Sequence, residues 1–171
     1  MNTRQLVLLQ EILAVCQTKA IPIWVRGGWA VDFALGQITR EHEDIDLFAW
    51  AKDAERLTEA FEQAGFCPQE GPPPDAQRDF MQDGESIQVA LVDLNNQGEA
   101  IVAGGPAKGS VWPQEMLGSH RGHIGEFVCP IVNPLVQIEI KEQFPIWRPD
   151  LPRFEKHASD IARLRERFTA L

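Results

Sequence analysis

Asp44 and Asp46 stand two residues apart in the run Asp44-Ile45-Asp46-Leu47-Phe48-Ala49-Trp50. On an extended strand, side chains at that spacing share one face, so both carboxylates can address the same divalent cation. Upstream lies Val25-Arg26-Gly27-Gly28-Trp29-Ala30-Val31-Asp32, an apolar strand end running into a glycine pair. Glycines let backbone N–H groups approach phosphates, and a helix starting there adds a dipole that favours anions. Mg2+ takes hard oxygen ligands. Two carboxylates beside a phosphate-approaching turn imply nucleotidyl transfer, in which an acceptor oxygen attacks the α-phosphorus of a nucleoside triphosphate and pyrophosphate leaves. Two divalent ions can clamp the attacking and leaving oxygens in such a step. Taken singly, either motif also fits a solvated strand end. Together they are more specific.

The elements that must hold these residues follow from periodicity. Leu6, Leu9, Leu13 and Cys16 at 3/4 spacing predict an amphipathic helix over 3–19. Residues 21–25 predict a buried strand ending at Gly27, and 28–35 a short helix stopped by Gly36. The next strand, 44–50, places Asp44, Asp46 and Phe48 on one face and Ile45, Leu47 and Ala49 on the other. A helix over 52–64 follows, with Leu57, Ala60, Phe61 and Ala64 inward and Gly65 as its stop. Residues 70–75 form a stiff Pro-rich connector. Strands 78–82 and 85–94 turn at Asp83-Gly84, and Asn95 to Gly98 turns into 99–103. Residues 106–125 predict an irregular excursion, 125–129 a short strand, and Asn133-Pro134 opens a helix to about Gln143. Pro145, Pro149 and Pro152 break regularity over 144–153, before a last helix over 154–170. The order specifies an α+β fold with a mixed β-sheet flanked by helices, read as one domain over 1–171.

Composition sets limits on partners. The 171 residues are 44% hydrophobic and 24% charged, with a net charge of −9. That balance argues against a nucleic-acid partner, which would call for a basic face, and is compatible with a cationic small molecule. Glu115, Glu126, Glu139 and Glu142 read either as a negative wall for such a substrate or as solvated surface. Cys16, Cys67 and Cys129 have no metal-ligand spacing and read as buried small hydrophobes in a reducing, cytoplasmic setting. No stretch approaches the ~20 apolar residues of a membrane span, and residues 4–11 hold no signal-like apolar block. Trp24 and Trp50 read as core, while Trp29 is open to stacking on a base or sugar. Asp32 reads as solvent-facing or paired with Arg26 or Arg40. His120, His123 and His157 show no ligand spacing.

The combination GGWAVDFALG, then Thr39-Arg40, then His42-Glu43-Asp44-Ile45-Asp46-Leu47 resembles the aminoglycoside 2''-O-nucleotidyltransferase and lincosamide nucleotidyltransferase family of the polymerase-β-like superfamily. The likeness is strongest over residues 24–48, with a fainter echo at Lys156-His157-Ala158-Ser159-Asp160-Ile161. It implies a nucleotidyltransferase-like fold, Mg2+ as cofactor, ATP or another nucleoside triphosphate as co-substrate, and an antibiotic hydroxyl as acceptor. By position it implies that Asp44 and Asp46 are metal ligands and that Gly27 and Gly28 form the phosphate turn. Arg40 and Lys156 would stand near the triphosphate, with Arg26 and His42 as helpers. The family's third carboxylate lies on the strand after the hairpin. Laid on Gly84-Glu85-Ser86-Ile87-Gln88-Val89-Ala90, that position is Gln88, whose amide can coordinate a metal but cannot take a proton. Glu85 or Asp93 would fill the role only if the register shifts.

The leading expectation is therefore Mg-dependent transfer of AMP from ATP to a small-molecule hydroxyl. Two rivals stand beside it: a catalytically weakened nucleotide-binding or regulatory module, favoured by Gln88, and an antitoxin-like enzyme that modifies a protein. Oligomeric state is open, since a small domain with a one-sided cleft could share it across a homodimer.

Overall fold

A computed structural model describes residues 2–151 and 155–169. Among these described residues five α-helices and eight strands follow one another as α1 (Asn2–Thr18), β1 (Ile23–Arg26), α2 (Gly27–Leu35), β2 (Asp44–Trp50), α3 (Ala54–Gln63, preceded by a 3-10 turn at Ala51–Asp53), β3 (Cys67–Gln69), β4 (Gln77–Gln82), β5 (Glu85–Leu94), β6 (Ala100–Val102), β7 (Arg121–Ile124), β8 (Phe127–Pro130), α4 (Pro134–Trp147) and α5 (Glu155–Phe168). The main sheet runs β1-β2-β5-β4-β3, with β6 also on β5. It is mixed: β2 and β5 are parallel, while the β1–β2, β4–β5, β3–β4 and β5–β6 pairs are antiparallel.

Alternation sorts the sheet into two faces. Ile45, Leu47, Ala49, Ile87, Val89 and Leu91 enter the main core with α1, α3 and Trp29, Ala30 and Phe33 of α2. On the other face Phe48, Trp24 and Val92 pack against Met116, Val132 and Val136. Asp44 and Asp46 lie on this second face, beyond its apolar part, so the parity that buries Ile45 and Leu47 is what leaves the carboxylates half-buried. A third cluster, Val31, Ile138 and Leu164, ties α2 to α4 and α5.

Local chemistry sets the joints. Asp83 (φ 52°) and Gly84 (φ 79°) are both left-handed, the requirement of a two-residue primed hairpin turn. This turn fixes the register of β5. Gly36 (φ 76°) ends α2, and the Gln37 N–H returns to the Asp32 carbonyl, a left-handed glycine stop. The Asn133 side chain accepts from the Leu135 N–H and caps α4.

Several expectations are corrected. The buried stripe of α1 is Gln5, Leu8, Leu9, Ile12 and Cys16, with Leu6 and Leu13 at its margins. Ala64 is exposed beyond the end of α3. Residues 121–124 are a strand, pairing with Phe127–Pro130 in a separate hairpin. Helix α4 runs on to Trp147 through Pro145. That proline falls in the last turn, where its missing N–H removes a single bond. Cys16 and Cys129 are buried, but Cys67 is exposed. Pro152 and the two ends of the last predicted helix, 154 and 170, lie outside the described residues.

Candidate active site

The site begins where β1 ends. Arg26 closes the strand and Gly27 (φ 66°) opens α2 in the left-handed region. A Cβ at Gly27 would lie 2.7 Å from Asp46 Oδ2, and one at Gly28 would lie 2.5 Å from both Arg40 Nη2 and His42 Nδ1. The glycines are therefore required by close approach. They bring the first turn of α2 against an aspartate on one side and a guanidinium on the other.

A polar row crosses the sheet at this level. Arg26 registers with Asp46, Asp46 with Gln88, Gln88 with Asp79, and Asp79 with Gln69. Residues in register share a face, so Gln88 stands beside Asp46 on the site face. Glu85 falls on the opposite face, 5% exposed, where Gln5 Nε2 donates to its Oε2 at 2.7 Å. Asp93 registers with Ile101 on β6 and is exposed. No bulge shifts either one toward Asp44 and Asp46.

The two aspartates strain against each other. Burial first, then the Asp46 charge, raises the Asp44 carboxyl to about 6, with a hydrogen bond between the pair and the Glu43 charge adding to the rise and Lys156 opposing it. Arg26 sits with its guanidinium 4.4 Å from the centre of the Phe48 ring. Burial lowers its pKa, while Asp46 and Asp44 hold it up. Carboxylates crowded in this way are the donor set that a hard dication relieves. Asp44 and Asp46 could hold Mg2+, and Gln88 stands in register beside Asp46 on the same face. Among the described residues no group of three acidic, His or Cys side chains converges on one point.

A cationic cluster faces the glycine turn. Arg40 donates to Asp160 through Nη2 at 3.1 Å and Nε at 3.4 Å, and Lys141 Nζ lies 3.2 Å from the same carboxylate. Lys141 is 6% exposed. Burial lowers its pKa, with Asp160 opposing and Arg40 and Arg26 adding to the fall. One turn earlier on α4, Gln137 Nε2 donates to the Gly27 carbonyl at 3.0 Å. Lys141 thus rises from the same helix face that grips the glycine turn. Two cations share one carboxylate, and the surplus positive charge faces the start of α2.

His42 is 3% exposed and links this cluster to the fold. Arg40 Nη1 approaches His42 Nδ1 at 3.1 Å, and His42 Nε2 lies 2.6 Å from Asp32 Oδ2. A guanidinium can only donate, so Nδ1 accepts and Nε2 carries the proton given to Asp32. Asp32 is completely buried and also accepts from the Thr39 N–H and hydroxyl. It is therefore an anchor, and neither a solvated carboxylate nor an arginine partner. Trp29, 1% exposed, donates to Gln5 and stacks beside His42. It belongs to the core and is closed to a ligand.

The structure brings together Gly27, Gly28, Arg26, Arg40, His42, Asp44, Asp46 and Gln88, and the Lys156 charge acts on Asp44. The sequence reading of Asp32 as solvent-facing or arginine-paired is overturned by its burial against Thr39 and His42, and Lys141 and Asp160 have no role in that reading. Asp160 lies inside the Lys156–Ile161 echo, and Lys141 follows Gln137 by one turn on a buried helix face, a signal available in the periodicity. Glu115, Glu126, Glu139 and Glu142 are exposed, and Glu142 pairs with Arg165.

A mixed sheet carrying paired carboxylates against a Gly-Gly helix start, with a basic cluster opposite, defines a nucleotidyltransferase-type domain. Solved structures share this fold. ANT(2'')-Ia in complex with adenylyl-2''-tobramycin superposes with a TM-score of 0.76 at 22% identity, over 96% of this chain and 89% of that one. A lincosamide antibiotic adenylyltransferase bound to lincomycin gives 0.72 at 21% identity, over 92% and 94%. Over 47 residues the chain is 49% identical to the 2''-aminoglycoside nucleotidyltransferase of Klebsiella pneumoniae. That match spans 28% of this chain and 27% of the relative, so it covers about a quarter of the relative's length. The family model for aminoglycoside-2''-adenylyltransferase matches residues 8–140, and the chain belongs to that family.

Proposed function

We propose that this protein transfers a nucleotidyl group, AMP from ATP, to a hydroxyl of a small antibiotic-like acceptor of the aminoglycoside or lincosamide type. The observation that carries the reading is the position of Asp46, in contact range of Gly27 on one side and in register with Gln88 on the other. The N–H groups at the start of α2, with Arg40, Lys141 and Lys156, would receive the β- and γ-phosphates. Asp44 and Asp46 would hold Mg2+, which when bound neutralises charge developing on the transferred phosphoryl group. Arg26, stacked on Phe48, would balance the carboxylates from beneath. ATP as co-substrate fits a protein of the reducing cytoplasm, and no described helix is long and apolar enough to cross a membrane.

Gln88 favours one alternative, a nucleotide-binding module with weakened catalysis, because an amide cannot accept the hydroxyl proton. Incubation with α-labelled ATP, Mg2+ and tobramycin, lincomycin or protein extract separates the readings. Label on a drug supports antibiotic transfer, label on protein the antitoxin-like alternative, and tight Mg-ATP binding without transfer the binding module. Asp46→Asn is expected to abolish Mg-dependent nucleotide binding and transfer. Gln88→Asp is expected to raise turnover about tenfold or more, the lower end of what a positioned base supplies being about 10²-fold. Unchanged turnover in that variant would remove Gln88 from the third position.

A further inference from the structure

The row across the sheet also has a direction. Strand order β1-β2-β5-β4 places the glycine turn on the β1 side of Asp46, and Gln88 and then Asp79 on the other side. Phosphoryl-group displacement is in line, with entering and leaving oxygens on opposite sides of phosphorus. If pyrophosphate leaves toward Gly27, Gly28 and Arg40, the acceptor must approach over β5 from β4. Neighbouring strands lie about 4.8 Å apart. Asp79 therefore stands about 5 Å beyond Gln88 and about 10 Å beyond Asp46, where the body of an acceptor would lie.

Asp79 is half-buried and prepared for a cation. Its Oδ1 accepts from Gln77 Nε2 at 2.7 Å, a neutral partner that fixes the carboxylate without cancelling its charge. Among the described residues it forms no ion pair. Its neighbour Arg78 turns to the other face, where it donates to Glu55, Thr58 and the Pro74 carbonyl. A Cβ on Gly71 would lie only 2.4 Å from Asp79 Oδ2, so the Pro-rich connector has a residue without a side chain where it passes over the carboxylate. The connector leaves room for Asp79, and a partly desolvated carboxylate without a counter-charge is a receptor for an ammonium group.

We propose that Asp79 is a specificity-determining residue that binds an ammonium group of a cationic, polyhydroxylated acceptor on the β4–β5 surface and so orients the reacting hydroxyl over Gln88. The inference rests on the nucleotidyl-transfer reading for the direction of approach. Gln77, on the same face of β4, gives its amide NH2 to Asp79 and so offers its carbonyl oxygen to a hydroxyl group of the same molecule.

The test is calorimetric titration of tobramycin into the full chain saturated with Mg2+ and a non-hydrolysable ATP analogue. Asp79→Asn keeps the oxygen that Gln77 donates to and removes the charge, and should weaken tobramycin at least about tenfold, the scale of one charge-assisted hydrogen bond. Gly71→Ala keeps the charge and displaces the carboxylate, and should also weaken tobramycin. Neither variant should change affinity for the ATP analogue, which distinguishes loss of an acceptor contact from loss of fold. Tobramycin affinity unchanged in both variants would overturn the assignment and leave nucleotidyl transfer standing, and so would failure of the wild type to bind tobramycin at all. Asp79-dependent tobramycin binding without any label transfer from ATP would retain the acceptor site and overturn the transfer reading instead.

Discussion

Arg40 has an orientation that the fold fixes from both ends. Asp160 takes two of its donors, His42 Nδ1 takes a third, and Asp32 sets the His42 tautomer through Nε2. Asp32→Asn keeps the shape but can present an amide N–H to the His42 Nε2 proton. The imidazole must then move its proton to Nδ1, where it meets an Arg40 donor, or lose its partner. Arg40 would be released from the face of Gly28. The expected outcome is a KM for ATP raised about tenfold with a smaller change in kcat, as for loss of ground-state phosphate binding, measured by steady-state kinetics at saturating acceptor. Unchanged kinetics in Asp32→Asn would contradict this account. A kcat loss with unchanged KM would contradict it as well.

Helices α4 and α5 carry the part of the site that responds to acid. Burial first, then the Lys141 and Lys156 charges, lower the His157 imidazole to about 4. Burial alone would raise Asp160, but the Arg40 hydrogen bond and the Lys141 and Arg40 charges outweigh it and hold Asp160 below its ordinary 3.8. Both groups bind fewer protons in the folded state. Their contributions are complete above the ordinary pKa of each, 6.5 for His157, and are lost as pH falls toward the folded values. Asp44, raised to about 6, binds more protons in the folded state and opposes these terms as pH falls. The His157 contribution is therefore read as a difference: the melting temperature of His157→Gln, relative to wild type, should rise as pH falls from about 6.5 toward 4. Identical pH profiles for variant and wild type would remove His157 from the cluster. Sequence reading reached the neighbouring elements unevenly. Strands β2, β4 and β5 were legible because alternation and the Asp83-Gly84 turn fix parity; the family resemblance pointed to Gln88, and the register of β2 with β5 sets it beside Asp46 while Glu85 and Asp93 fall on the other face. The pairs Asp32–His42, Lys141–Asp160 and Arg40–Asp160 were not legible, since they join residues 10, 19 and 120 positions apart that only the packing of α2, α4 and α5 brings together. Trp29, which the sequence leaves open, is decided by the same packing: its burial depends on α1, through Gln5.

At the scale of the whole molecule, a net charge of −9 surrounds a site that must take one anion and, on the reading above, one cation. The positive charge is concentrated where phosphate would sit, in Arg26, Arg40, Lys141 and Lys156, while the average surface is negative. On that reading such a surface would draw a polycationic acceptor from a distance. Screening should separate the two substrates, because the long-range field fades as the Debye length shrinks from about 10 Å at 0.1 M salt toward 3 Å at 1 M, whereas short buried contacts are screened much less. We expect kcat/KM for tobramycin to fall about tenfold or more between low and roughly 0.5 M NaCl. For Mg-ATP, which approaches against the overall field and is held by the local cluster, kcat/KM should change little or rise. Steady-state kinetics with each substrate varied at saturation of the other would measure both slopes. Equal falls would show that salt acts on the buried phosphate cluster itself, and the acidic surface would then have no part in acceptor capture.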